Sequence, residues 1–144
     1  MTAPDKNGEG TAAVMRAAIA DARISADAVD HINAHGTGTK YNDVVETLAV
    51  KAVFGQRAGR IPINAIKSMT GHMIAASGAV EAVVAALTLR RGAVPPTINL
   101  KNPDDECDLD YVADGARDFQ GDTVLSNSFG FGGQNATLIL RRYC

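Results

Sequence analysis

The chain has 144 residues, 46% of them apolar and 21% charged, which suits one core-forming domain and excludes a disordered or fibrous polymer. Its formal net charge of −2 argues against a nucleic-acid binder held by a basic surface, and no apolar run reaches the ~18 residues of a membrane-spanning helix. Two cysteines cannot build a disulfide framework or a metal knuckle, and with no apolar signal segment in the sequence the expected setting is reducing and cytoplasmic.

In chain order, residues 1–10 (MTAPDKNGEG) are polar and turn-rich and read as a loop. Residues 11–22 place Val14, Ala17, Ala18 and Ile19 on one helical face. After a short turn over 25–28, a strand over 29–34 delivers His35 into a loop holding Gly36 and Gly38. Asn42 and Asp43 are placed to cap a helix through Val53, with Val45, Leu48, Ala49 and Ala52 as its buried stripe and Gly55 as its end. A strand over 60–65 hands over to a loop at 67–72. The helix from Ile74 to Leu89 is apolar almost all round, a pattern normally buried on most sides. Its small residues, from Ala75 to Ala79, let another backbone approach closely.

Gly92 and the Pro95-Pro96 pair close that helix. An acidic, irregular connection over 99–110 and a short strand over 109–112 follow. Residues 123–128 and 136–140 have strand composition, and the glycine-rich segment between them is short enough for a hairpin. Strands alternating with helices imply an α/β domain over residues 1–144, with a mixed, mostly parallel sheet, an antiparallel finish and helices on both faces. The pattern opens on a helix, so a further strand upstream, or one from another polypeptide, is expected.

Chemistry concentrates in three loops at strand ends: HINAHGTGT (31–39), KSMTGH (67–72) and NSFGFGG (127–133). Three strand-end loops forming one site is a common way for an α/β scaffold to gather distant residues. Neutral imidazoles of His35 and His72 at adjacent strand ends can aim two donors at one oxygen, which suits an enolate or oxyanion developing during reaction. Lys67 can hold a carboxylate partner or a water, and Glu81, inside the apolar helix, is its natural buried partner. Gly130, Gly132 and Gly133 flank Phe131, so that loop can turn sharply and present a backbone N–H beside an aromatic gate. Plainer roles stay open here: a hydrogen-bonded structural histidine, Glu81 as a helix-surface charge, Thr37 and Thr39 as turn hydroxyls. His31 reads as structural or exposed. His31 and His35 have i,i+4 spacing, but Ile32 stands where a zincin needs glutamate, and no metal site is expected. Neither GTGTK nor GFGG has the spacing of a phosphate-binding loop.

The segments NAHGTGT (33–39), KSMTGH (67–72), VPPTINLKNPDDECDLDYV (94–112) and SNSFGFGGQNATLIL (126–140) resemble the β-ketoacyl-acyl-carrier-protein synthases of the elongating, synthase II type. The resemblance runs in register through essentially the whole chain and covers roughly the C-terminal third of such an enzyme. It implies the C-terminal half of a thiolase-like fold, in which two similar α/β halves build five layers, and decarboxylative Claisen condensation. An acyl chain is taken up on an active cysteine, malonyl-acyl carrier protein loses CO2, and the carbanion attacks the acyl thioester. His35 and His72 match the family's two histidines at the malonyl thioester carbonyl, Lys67 its active-site lysine, and Glu81 the acidic residue of that network. Phe131 matches the gating phenylalanine of the glycine-rich loop, whose backbone N–H joins the oxyanion hole. Thr37 and Thr39 match the threonines that contact the pantetheine arm. No cofactor of its own is implied, because the phosphopantetheine is carried by the acyl carrier protein; a homodimer is.

The nucleophilic cysteine of the family lies in its N-terminal half. Cys107, in the acidic connection, and Cys144, the last residue, lack the small-residue strand-to-helix turn that lowers a thiol pKa. The family's C-terminal half also begins with a strand ahead of the first helix here, expected inside the sheet. The chain therefore reads as a C-terminal fragment or one chain of a split synthase, inactive without an N-terminal half. The alternative is a non-catalytic partner that shapes the acyl pocket of a separate synthase chain.

Overall fold

The computed structural model describes residues 7–143; most of the N-terminal loop reading and Cys144 lie outside them. Among the described residues the elements run α1 (Glu9–Asp21), β1 (His31–Asn33), α2 (Asn42–Phe54), β2 (Ile63–Asn64), α3 (Lys67–Thr70), α4 (Ala75–Arg91), β3 (Ala93–Val94), β4 (Arg117–Asp118), β5 (Thr123–Phe129) and β6 (Asn135–Arg141). The main sheet has the order β2-β1-β5-β6. β1 pairs in parallel with β2 and β5, and β6 returns antiparallel along β5 from Thr123–Arg141 to Phe129–Asn135. This is the expected mixed sheet with its antiparallel finish.

Strand alternation divides the core between the two faces of the sheet. Ile32, Ala34 and Leu125 pack with Met15 and Ile19 of α1 and Ala49, Val50 and Phe54 of α2. Val124 belongs to a second cluster with Ala85 and Leu89 of α4, Val94, Val112 and Phe119. Each large aliphatic side chain fully buried in this way contributes about 1.5–3 kcal/mol. Helices therefore cover both faces, two on one side and α4 on the other.

Several local expectations are corrected. No cap bond comes from Asn42, which is the first residue of α2; Asp43 instead accepts the Gly38 N–H at 3.2 Å and the Asn42 amide at 3.0 Å, tying the helix start to the glycine loop. Leu48 and Ala52 are exposed, and the buried side of α2 is Val45, Glu46, Thr47, Ala49, Val50 and Phe54. The strand expected over 60–65 shortens to β2 because residues 55–60 coil into a 3-10 turn. Residues 67–70 form a helical turn rather than open loop. Residues 109–112 form no strand; the Asp110 and Val112 carbonyls accept single bonds from Ile63 and Thr97, too few for a ladder. β3 and β4, unforeseen, pair as a small separate ribbon.

Two corrections concern the whole sheet. Its four strands are contiguous, so no opening for a further strand exists inside it, and its free edges are β2 and β6. Nor is α4 buried on most sides: Ser77, Glu81, Ala85, Thr88 and Leu89 form its one buried stripe, and Val83 on the outer face is 58% exposed.

Candidate active site

The parallel pairing of β1 with β2 brings the first two loops side by side. The Ala34 N–H donates to the Asn64 carbonyl at 2.8 Å, so the two strand ends stay in register up to the turn. Gly36 then takes φ 44, and a Cβ there would lie 2.4 Å from that of Ala65. Only glycine lets the His35 loop close against the end of β2.

Beneath this turn lies a residue the sequence reading missed. Glu46, on the buried face of α2, accepts the N–H groups of His35 (2.9 Å) and Gly36 (3.0 Å) and the side-chain amide of Asn127 (3.0 Å). Asn127 in turn accepts the Thr137 hydroxyl at 2.8 Å. One carboxylate thus joins the β1 loop to β5 and, through Asn127, to β6. Burial pushes the Glu46 carboxyl above its ordinary value, and the three donors work against that shift. The available signal was a glutamate sharing a helix face with Val45, Ala49 and Val50, where an acidic group must find partners.

His72 follows α3 and Gly71. Its Nδ1 lies 3.0 Å from the Ile74 N–H, which can only donate, and 3.3 Å from the Ser77 hydroxyl. An Nδ1 that accepts leaves the proton of the neutral ring on Nε2, so Nε2–H is the ring's free donor. The His35 and His72 rings stand edge to face, with centroids 5.5 Å apart at 83°, and Phe129 lies 5.5 Å from His35 on another side. Burial first, then the nearby Lys67 and His72, lowers the His35 pKa to about 4, so this imidazole is neutral at pH 7.

Lys67 and Glu81 form the expected ion pair, both side chains buried. Burial raises the Glu81 carboxyl, and the Lys67 ammonium opposes that rise. Lys67 does not face the histidine cavity. It lines an adjoining space of about 420 Å³ that also includes Cys107 and shares Thr37, Thr39 and Glu46 with the histidine cavity, and its charge helps lower the His35 pKa. Burial raises the Cys107 thiol pKa, and the thiol stands apart from both histidines.

The histidines instead border a cavity of about 930 Å³ with Thr37, Thr39 and the third loop. The hydroxyls of Thr37 and Thr39 are 2.9 Å apart. The Gly130 N–H donates to the Gln134 carbonyl at 3.1 Å, Gly132 takes φ 78, and Phe131 is 78% exposed at the tip. All three loops named from the sequence therefore meet at one place. His31 does not join them: its Nε2 bonds Asn64 at 2.9 Å, its ring stacks edge-on against Phe119, and it is a core residue. Among the described residues no group of three or more histidine, cysteine or acidic side chains forms a metal site. Two imidazoles on one wall of a cavity can donate to a single oxygen that gains negative charge.

Residues 1–101 match the family model described as "Beta-ketoacyl synthase, C-terminal domain". The chain is 51% identical to the 3-oxoacyl-[acyl-carrier-protein] synthase 2 of Coxiella burnetii (strain RSA 493 / Nine Mile phase I), over 99% of this chain and 34% of that protein. It superposes with TM-score 0.96 and 40% identity on a chain solved as a type II PKS acyl-carrier protein in complex with its ketosynthase bound to the hexaketide, covering 99% of this chain and 35% of that one. The ishigamide ketosynthase/chain length factor gives TM-score 0.93 at 40% identity, over 99% of this chain and 34% of that one. The chain thus spans about a third of the length of the relatives it matches.

Proposed function

Since this chain belongs to the beta-ketoacyl synthase family, through that family's C-terminal domain, we propose that it supplies the histidine half of a decarboxylative Claisen condensation. The substrate is malonyl-acyl carrier protein, whose malonyl thioester enters the 930 Å³ cavity past Thr37, Thr39 and Phe131. His35 and His72 hold its carbonyl oxygen. The bond to the carboxylate breaks, CO2 leaves, and its electron pair becomes the enolate that the two imidazoles stabilise. The α-carbon of the enolate attacks the acyl thioester of a cysteine; the new C–C bond forms, the C–S bond breaks, and the cysteine departs as thiolate. Lys67, paired with Glu81, acts from the adjoining space by its field on His35. A backbone N–H of the Phe131 loop serves as the oxyanion donor for the acyl carbonyl.

The reacting thiol comes from an N-terminal half, because Cys107 lines the adjoining 420 Å³ space, which neither histidine borders, and burial raises its pKa. The assembly is a cytoplasmic dimer that works with acyl carrier protein in fatty acid synthesis. The observation that carries the proposal is the pair of rings 5.5 Å apart, facing the same cavity as both threonines. Mixing the chain with the N-terminal half of a relative should produce release of CO2 from malonyl-acyl carrier protein. His72→Ala should lower that rate at least 100-fold, a typical loss for one oxyanion donor. Full decarboxylation by the His72→Ala assembly would leave His72 without the assigned role. Equal condensation with both histidines replaced would instead favour a non-catalytic partner subunit.

A further inference from the structure

The turn from Gly71 into α4 contains a side chain for which the condensation chemistry above has no use. Ser77 lies in the first turn of α4 and is 4% exposed. Its Oγ accepts the Met73 N–H at 2.8 Å and lies 3.3 Å from Nδ1 of His72. Because the Met73 N–H occupies the acceptor side, the hydroxyl proton is free to point at Nδ1. That nitrogen already takes the Ile74 N–H at 3.0 Å, so it has an acceptor lone pair and no proton.

Ile74 adds an independent sign that the turn is built for this purpose. Its φ is 52 with ψ −123, a positive-φ region outside the left-handed helical well that a β-branched residue adopts at a cost of about 1–3 kcal/mol. Its side chain is 78% exposed, so side-chain packing does not hold it there. What the conformation achieves is to turn the Ile74 N–H back onto the ring two residues earlier. Ser77 closes the same ring from α4, and the two donors share one lone pair.

We infer that Ser77 is a positioning residue: with the Ile74 N–H it holds the His72 ring as the Nε2–H tautomer, so that the face toward the cavity always carries a donor. This deepens the proposed function and rests on His72 donating to a substrate oxygen. The test uses the 144-residue chain labelled with ¹⁵N-histidine, its His72 ring signals assigned by their loss in His72→Asn. The wild-type ring should show an unprotonated, hydrogen-bonded Nδ1 and a protonated Nε2. In Ser77→Ala, Nδ1 should shift toward the frequency of a free acceptor nitrogen, in a chain that stays folded with a melting temperature lowered by the Met73 N–H left without its acceptor. Ser77→Cys keeps the volume and weakens the donor, and should move the same signal part of the way. Ring signals of both variants that superimpose on wild type would overturn the inference. In a completed synthase, Ser77→Ala should lower kcat for decarboxylation about 3- to 10-fold with KM little changed, the effect of one lost hydrogen bond expressed at the transition state. Shifted ring signals with an unchanged rate would retain the clamp and remove His72 from the chemistry. Unshifted signals would remove the clamp whatever the rate does.

Discussion

His31, a core residue, and Glu46, buried at the wall of the histidine cavity, show how much of the candidate site is held by hydrogen bonds made away from the reacting groups. His31 sits under the sheet against Asn64 and Phe119, and burial, opposed by the Asn64 bond, lowers its pKa to about 4. His35 is lowered to about 4 as well. The unfolded chain, with imidazoles near 6.5, takes up these protons first as pH falls. The stability linked to both groups is therefore complete above about pH 6.5 and is lost as pH drops toward about 4, by about 3 kcal/mol for the fully buried His31 and by less for His35, which solvent screens in part. Urea unfolding across that window should show a shallower acid loss in His31→Gln than in wild type, whatever the variant's stability at pH 7. At Glu46, replacement by alanine leaves the His35 and Gly36 N–H groups and the Asn127 amide without their acceptor. We expect a loss of about 3–5 kcal/mol for Glu46→Ala and about 1–3 kcal/mol for Glu46→Gln, which keeps one carbonyl oxygen. Equal stability of all three proteins in urea would show that this carboxylate does not hold the loops.

At the scale of elements, α4 carries the clearest asymmetry. Ala85 is fully buried on the stripe that meets the sheet, whereas Val83 and Leu87 on the opposite face are exposed. Enlarging Ala85 to leucine forces side chains into a filled layer and should cost about 1–3 kcal/mol, read as a lower urea midpoint. Val83→Glu together with Leu87→Glu should leave that midpoint nearly unchanged, because neither side chain belongs to the core. The small residues of α4 permit close approach, as Gly78 illustrates: a Cβ there would stand 3.3 Å from Ser128 Oγ on β5.

Across the whole molecule, α1 and α2 cover one face of the sheet and α4 alone crosses the other, leaving an outer apolar face and a free β6 edge. An apolar helix face of this kind marks an interaction surface. In the proposed assembly it meets the N-terminal half, which brings the thiol to the histidines. The Val83→Glu and Leu87→Glu pair should therefore abolish assembly with that half in size-exclusion chromatography while the chain alone remains folded. Normal assembly of the double variant would place the contact elsewhere.

By itself the sequence determined what neighbouring residues control. The glycines after His35 and beside Phe131 and the strand runs before each loop act through local backbone preference or local hydrophobic period, and these were legible. So were the Lys67–Glu81 pair, because a buried carboxylate must have a partner, and the family, because four motifs stood in register. α1 was legible as a helix, but its buried side is Thr11, Ala12, Met15 and Ile19, with Ala17 exposed and Val14 and Ala18 only half-buried, because the sheet and α2 decide which face is covered. Only the tertiary structure decided which groups cross between elements. Glu46 meets Asn127 across 81 positions and the Thr47 hydroxyl meets that of Tyr111 across 64, contacts that no local pattern announces. It also paired Lys67 with Glu81 on the wall of the adjoining space, left one side of α4 uncovered and kept the sheet continuous. The physical reason is range: turn chemistry and periodicity act over a few residues, whereas a buried hydrogen bond takes whichever partner the packed chain brings within about 3 Å.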